Sequence, residues 1–458
     1  MVIGGGAAGL AAARTARRRG ARVALVSAGP LGGDCTFYGC VPSKTLIESA
    51  RQGLSFAEAS RRVHATVARI AAGEDAAVLG REGVQVLTGR ARLLGRGRVA
   101  VEGSTLGYRR LVLATGSTPL VPAVPGLAGV GALTNETVFD LSTRPASLLI
   151  IGAGPIGVEL GQAFAGLGTS VTLVEAAPRV VPREEPEASA VIASALSAQG
   201  ARVRTGRQVT SVSREGDGPG AGLVCARLDD ASEVRAEQVL VAVGRRPRTG
   251  DLGLEQAGVA LDERGYVVTD SHLRTSARDV YAAGDVTGRG MFTHAADEMG
   301  RVAANNALSP TPWRRFHQDA VPAVTYTSPE LARVGLTEQQ AAGLRGARVA
   351  ELPLEELDRA LAADRAEGYI KLITAPRGAL GHLAGGRLVG ATIVAERAGE
   401  MIALPTLALR TGMLPARLAL TVQAYPTWSV GVRQAAAQLF VETGGRRARP
   451  ARLSPEEA

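Results

Sequence analysis

The chain has 458 residues, 52 of them basic and 43 acidic, for a formal net charge of +9 at pH 7. With 46% hydrophobic and 21% charged residues it has ample material for packed cores, which excludes global disorder, and at roughly 100–200 residues per domain the length suggests about three domains. Three cysteines are too few for a secreted disulfide scaffold, no apolar run reaches the ~18 residues of a bilayer span, and a pI near 10.0 with only 3% aromatics is better read as a solvated arginine surface than as a nucleic-acid interface.

Chain order begins with an apolar strand, Met1–Ile3, and then Gly4, Gly6 and Gly9 in a G-x-G-x-x-G pattern. An Ala/Arg-rich helical stretch runs to about Gly20 and a strand covers Arg22–Val26. Glycines at this spacing permit a tight turn and the close approach of a pyrophosphate to a helix N-terminus. Arg14, Arg17, Arg18 and Arg19 follow the apolar stretch, the reverse of a secretion signal, so the expected compartment is the reducing cytoplasm. Only three residues precede Gly4, fewer than an average strand, which reads as a clipped strand or a misassigned start.

The next run, Gly32-Gly33-Asp34-Cys35-Thr36-Phe37-Tyr38-Gly39-Cys40-Val41-Pro42-Ser43-Lys44, carries the chemistry. On a helical start the spacing of Cys35 and Cys40 puts both sulfurs on one face, within disulfide reach. A zinc site needs four ligands, and no second Cys/His pair accompanies these two, so no metal site is expected. A redox-active dithiol is the reading. Lys44 adds to it, since it and Lys371 are the only lysines among the 52 basic residues, and an ammonium is a compact charge that Arg does not replace. Cys225 reads as a buried inert thiol.

A strand ending in Thr115-Gly116 closes the first nucleotide-binding segment. Ser147–Ile151 is a predicted strand, followed by a second G-x-G-x-x-G at Gly152, Gly154 and Gly157, a helix to about Gly168 and a strand, Ser170–Glu175. Two such fingerprints imply two dinucleotide sites. Val239–Gly244 closes the second segment, and Thr275–Asp285 delivers a carboxylate after Gly284, suited to a sugar-alcohol hydroxyl. Beyond Pro310 the texture changes to an α+β domain, with strands at Val321–Tyr326, Gly368–Ile373 and Leu388–Val394 and helices at Glu338–Gly343, Gly399–Thr411 and Ser429–Phe440.

On these motifs the sequence resembles the class I pyridine nucleotide–disulfide oxidoreductases, from Met1 to about Phe440, and among them the mercuric reductase branch through Leu357–Leu361, Gly368–Leu372 and Ala398–Ile402. The resemblance implies an α/β fold with two Rossmann-like dinucleotide-binding domains plus a C-terminal α+β dimerisation domain. The implied division is FAD-binding at 1–142 and 266–312, NAD(P)-binding at 143–265, an interface domain at 313–441 and a flexible tail at 442–458. FAD would bind at Gly4, Gly6, Gly9, Gly33, Thr115, Gly116 and Gly284, with Asp285 on the ribityl chain. NADH, or NADPH, would bind at Gly152, Gly154, Gly157, Glu175 and Gly244, the Glu175 carboxylate favouring NADH by repelling a 2′-phosphate.

Electrons would pass from NAD(P)H through FAD to Cys35–Cys40, with Cys40 facing the flavin and Cys35 the exposed interchange thiol. Lys44 would pair with Glu159 beside the flavin. The acceptor would be a small molecule or a metal ion, and the protein a homodimer in which Tyr425 reaches the partner's cysteine pair.

Departures from the family pattern bear on mechanism. Ser27 stands where the family carries an acid for the FAD ribose, and losing a charge-assisted hydrogen bond of about 1.5–3 kcal/mol predicts FAD binding weaker by ~10-fold or more. In Val422–Val430 the family's His before Pro is Tyr425 and its Glu is Val430; His64, His272, His294, His317 and His382 all lie elsewhere. A neutral tyrosine without a carboxylate partner is a poor acid for a leaving thiolate, so weak dihydrolipoamide or glutathione reductase activity is expected. The paired cysteines that hand over the metal near the C-terminus of mercuric reductases are missing from 441–458, and no metal-binding domain precedes the first fingerprint, which puts Hg(II) delivery in doubt. The alternatives are a dihydrolipoamide dehydrogenase-type enzyme with a degraded acid/base pair, a diaphorase or quinone reductase, and a non-catalytic scaffold.

Overall fold

The structure is a computed structural model and describes residues 1–215 and 222–452. The chain forms two compact units, one of Met1–Ala146, Ser213–Val224 and Glu237–Gln318, the other of Ser147–Val212, Cys225–Ala236 and Asp319–Ala458.

In the first unit a five-stranded parallel sheet runs in the order 280–282, 111–113, 2–3, 23–27, 84–88. Val2–Ile3 is short and central, paired on both sides and buried. Ala7–Arg18 is the helix that follows the first glycine turn. Its inner face is almost all alanine, with Ala12 and Ala13 fully buried, because the helix Thr293–Ala307 packs against it at close range. At that crossing a Cβ on Gly300 would collide with the Ala8 carbonyl oxygen. Small side chains there let two helix backbones approach and gain dense contact.

In the second unit Ser147–Ile151, Ser170–Glu175 and Arg202–Thr205 pair in parallel. Pro155 occupies the first turn of the helix Pro155–Gly166, where its missing N–H costs nothing. The C-terminal part builds a six-stranded antiparallel sheet in the order 323–325, 330–335, 387–395, 369–375, 348–353, 449–450. The strands 369–375 and 387–395 are buried almost throughout, which is why both faces are mainly apolar, with Lys371, Thr374 and Thr392 as buried polar exceptions.

Within the segment 143–265, residues 147–212 and 225–236 fall in the second unit and 237–265 in the first. The supposed flexible tail is docked as far as residue 452. Arg449–Pro450 adds an edge strand against 348–349, and Arg449 forms a double ion pair with Glu338. A guanidinium matched to a carboxylate in this way offsets the ordering cost of the segment. Residues 453–458 lie outside the described residues. Among the described residues no helix is long and apolar enough to cross a membrane.

Candidate active site

The first glycine turn is a cradle with no room for side chains. Gly4 has φ +112°, and a Cβ there would strike the Ala114 carbonyl oxygen; one on Gly9 would strike the carbonyl oxygen of Gly4. Gly33, φ +61°, approaches Gly6 so closely that its Cβ would lie 2.8 Å from the Gly6 Cα. Gly6 caps the helix Ala7–Arg18 with its first amides open, the arrangement that receives an anion. Ser27, at the end of its strand, is buried and donates its hydroxyl to the Gly29 carbonyl at 2.8 Å, so it does not replace an ionised acceptor. Thr115 Oγ1 donates to the Arg248 carbonyl at 2.8 Å, Gly116 turns with φ +74° and Gly244 with φ +134°.

The cysteines do not share one helix. Gly33–Phe37 and Cys40–Arg51 are separate helices, broken at Tyr38 and Gly39. The break lets Cys40 turn back, and a thiol–thiol hydrogen bond joins it to Cys35. That bond, with burial and the proximity of Cys40, pushes the Cys35 thiol well above its ordinary range. Cys40 opens its helix and is exposed, while Cys35 is half-buried. Cys35 sits inside the preceding helical turn, whereas Cys40 stands at a helix end. Cys40 Sγ lies 3.3 Å from Thr293 Oγ1, at the start of the helix that follows Asp285. Thr293 was not singled out in the sequence, and the only signal for it was its place eight residues after Asp285. Lys44 lies one turn into the Cys40 helix.

Asp285 follows Gly284, whose φ is +81°. Burial raises its carboxyl above the ordinary range, against the Ser117 hydrogen bond at 2.6 Å and the charge of Arg245. Arg245 is also ion-paired with Asp34, the residue before Cys35. Sequence reasoning missed Asp34, Ser117 and Arg245, whose only clue was their place directly beside Cys35, Gly116 and Gly244.

In the second unit the same glycine logic recurs. Gly152 has φ +101°, a Cβ on Gly157 would strike the Gly152 carbonyl oxygen, and Gly154 caps the helix Pro155–Gly166 in open space. The Glu175 carboxylate accepts the amides of Ala153 at 2.7 Å and Ala177 at 2.9 Å, bracing the turn. Glu159 is buried on the helix and accepts the Tyr326 amide at 2.9 Å.

Tyr425 lies 68% exposed among other exposed apolar side chains. The expectation that it has no carboxylate partner is corrected: its hydroxyl donates to Asp358 Oδ2 at 2.6 Å. Asp358 lies 67 residues away in sequence, so nothing local announced the pair. This bond holds the Tyr425 hydroxyl above its ordinary range. Cys225 is half-buried in the strand Val224–Leu228, and burial raises its thiol. Among the described residues no group of three or more His, Cys, Asp or Glu side chains is arranged to hold a metal ion.

Comparison with known proteins agrees with this geometry. The model of the pyridine nucleotide-disulphide oxidoreductase family matches residues 1–300, and that of its dimerisation domain matches 321–436. The chain is 36% identical to a dihydrolipoyl dehydrogenase of Thermus scotoductus, covering 96% of each chain. It is 37% identical to a mercuric reductase of Streptomyces lividans, over 95% of this chain and 94% of the relative. Among solved structures, LpdA from Mycobacterium tuberculosis superposes with a TM-score of 0.86 at 30% identity, over 96% of this chain and 99% of that one. The HOCl-induced flavoprotein disulfide reductase RclA from Escherichia coli, solved as a Cu(II) complex, gives 0.85 at 29%, over 95% and 98%. With two glycine cradles, a dithiol between helices and family matches across both the catalytic and dimerisation segments, the chain belongs to the pyridine nucleotide-disulphide oxidoreductases.

Proposed function

We propose that this FAD-dependent NAD(P)H oxidoreductase takes electrons from NADH and delivers them through the Cys35–Cys40 pair to a soft metal ion, in preference to a dihydrolipoamide-type disulfide. The residues of the first unit fit FAD: Gly4, Gly9 and Gly33 leave no room for a Cβ, and Asp285 is a half-buried hydroxyl acceptor. FAD, when bound, relays an electron pair from reduced nicotinamide to the cysteine pair. Everything else falls to the chain's own side chains. Glu175, in the nicotinamide-nucleotide turn, favours NADH over a 2′-phosphorylated dinucleotide. Cys40, beside Thr293 after Asp285, is assigned to the flavin side, and Cys35 to exchange with the acceptor. Lys44, one turn into the Cys40 helix, is assigned to charge balance near the flavin.

The observation that carries the choice of acceptor is the Tyr425–Asp358 bond. Reducing a disulfide ends with a thiolate that must be protonated, and a positioned acid is worth about 10²–10⁴ in rate. A tyrosine whose hydroxyl is engaged by a carboxylate that makes it hold its proton more tightly is ill suited to that task. A divalent soft ion has no such need, because two thiolates bind it directly. The net reaction is NADH plus M²⁺ giving NAD⁺, H⁺ and metal(0), with one electron pair transferred. The reducing cytoplasm is the setting in which such a dithiol stays cyclable.

The test is NADH oxidation by the purified flavoprotein with one acceptor at a time: Hg(II), lipoamide, glutathione disulfide or a quinone. Metal-dependent turnover abolished by Cys35→Ser and by Cys40→Ser is expected, with lipoamide slower by about 10²-fold or more. Lipoamide turnover equal to that with metal overturns the reading in favour of a disulfide reductase. Quinone turnover that survives Cys35→Ser, with no metal turnover, replaces it with a diaphorase.

A further inference from the structure

Arg245 touches three parts of the first unit with one guanidinium. It is ion-paired with Asp34. Its Nε donates to Ser117 Oγ at 2.6 Å, and its Nη2 to the Ser117 carbonyl at 3.1 Å. Its Nη1 donates to Asn135 Oδ1 at 3.3 Å. Asn135 in turn donates through Nδ2 to the Tyr38 carbonyl at 3.0 Å. Asp34 immediately precedes Cys35, and Tyr38 stands between the two cysteines. The loop is therefore held on both shoulders. Ser117 Oγ donates to Asp285 Oδ2 at 2.6 Å, which ties the same assembly to the carboxylate after Gly284. Arg245 is mostly buried, so these bonds are little weakened by water.

We propose that Arg245 and Asn135 are positioning residues that clamp the Cys35–Cys40 loop to the Ser117–Asp285 anchor and, by holding the two thiols together, set the stability of the disulfide. The proposal rests on the dithiol being the redox centre. The loop needs such a clamp because it is a break between two helices, with Gly39 at φ −126°, ψ −115°, so the two sulfurs are not held in register by one continuous helix. Tethering two groups before they react removes ordering entropy from the reaction. A loose loop lowers the effective concentration of one thiol at the other and favours the dithiol. The fork of the guanidinium is essential, since a lysine ammonium can neutralise Asp34 but cannot reach Ser117 and Asn135 in one plane.

The experiment equilibrates the flavin-loaded protein in dithiothreitol buffers of graded oxidation, quenches with acid, and counts Cys35 and Cys40 alkylation by mass spectrometry. Two electrons and two protons pass from dithiothreitol to the protein disulfide, and dithiothreitol closes to its cyclic disulfide. Arg245→Gln is expected to move the equilibrium about 10-fold toward the dithiol, ~30 mV for this two-electron couple. Asn135→Ala, which alters no charge, is expected to move it in the same direction by about 3-fold, and Arg245→Lys to fall between parent and Arg245→Gln. If Arg245→Gln does not fold, Asn135→Ala decides alone. Folded variants whose equilibrium stays within about twofold of the parent overturn the clamp. A parent protein that forms no Cys35–Cys40 disulfide in any buffer overturns the redox-centre reading and the clamp together. A parent that forms it while the variants do not respond overturns the clamp alone.

Discussion

Tyr425 and Asp358 show how one hydrogen bond redefines a residue. The sequence motif puts tyrosine where a proton-donating histidine is expected, and the fold supplies a carboxylate 67 positions upstream. The hydrogen bond to Asp358 comes first among the causes that raise the tyrosine, and the aspartate's charge comes second. Replacing Asp358 with Asn removes the charge and weakens the bond, so the Tyr425 titration, read by ultraviolet difference absorbance against Tyr425→Phe, moves to lower pH. A titration that does not move shows that the two side chains are not paired in solution. The cysteines and the fingerprint glycines were legible in the sequence because their chemistry depends on local spacing. Asp358, Thr293, Ser117 and Arg245 were not, because each acts only through a partner far along the chain.

At the level of elements, the strand Tyr369–Ala375 carries the second lysine into the interior. Lys371 is 0% exposed, with its Nζ 3.0 Å from Glu338, 3.4 Å from Glu187 and 3.8 Å from both Glu185 and Glu351. Its burial alone would weaken the ammonium, but Glu185, Glu187 and Glu338 hold it above its ordinary range. For Glu338 burial acts upward, yet the Arg449 bond and the Lys371 charge bring it down from 4.5 to about 2. A depressed carboxyl adds stability that is fully present above pH 4.5 and lost as pH falls toward 2. Lys371→Met removes the buried cation shared by Glu185, Glu187, Glu338 and Glu351 and leaves Arg449 to serve Glu338 and Glu351 alone. It is expected to cost about 3–5 kcal/mol in denaturant unfolding and to flatten the acid limb of the stability profile. A loss below about 1 kcal/mol contradicts that role. The chain's scarcity of lysine hinted at Lys371, but the four acids come from three elements far apart in sequence, Glu185 and Glu187 at the start of one helix, Glu338 on another and Glu351 on a strand, and no spacing foretold their meeting.

For the whole molecule, the dimerisation segment presents Leu420 at 81% exposure, Val422 at 92% and Tyr425 at 68%. Side chains this apolar belong against a partner surface, and the family's dimerisation domain fits a homodimer. Each is worth about 1.5–3 kcal/mol when buried, and a two-fold axis counts it twice. Leu420→Glu is therefore expected to weaken the dimer by about 10²-fold or more, seen as a shift to monomer by light scattering across a dilution series. A variant that stays dimeric at every concentration removes Leu420 from the interface.

The sequence by itself determined the two dinucleotide turns, the dithiol, the change of texture near residue 310 and the strands Ser147–Ile151 and Ser170–Glu175, which match residue for residue. These rest on backbone sterics and short-range periodicity, and neighbouring residues encode both. Only the tertiary structure decided the break between the cysteine helices, the docking of Arg449–Pro450 as an edge strand and the sharing of 143–265 between two units. It alone also decided which charges meet around Arg245 and Lys371. A salt bridge or hydrogen bond is fixed by distance in space, and a chain folded from parallel crossovers and an antiparallel sheet brings together residues whose separation in sequence carries no trace of it.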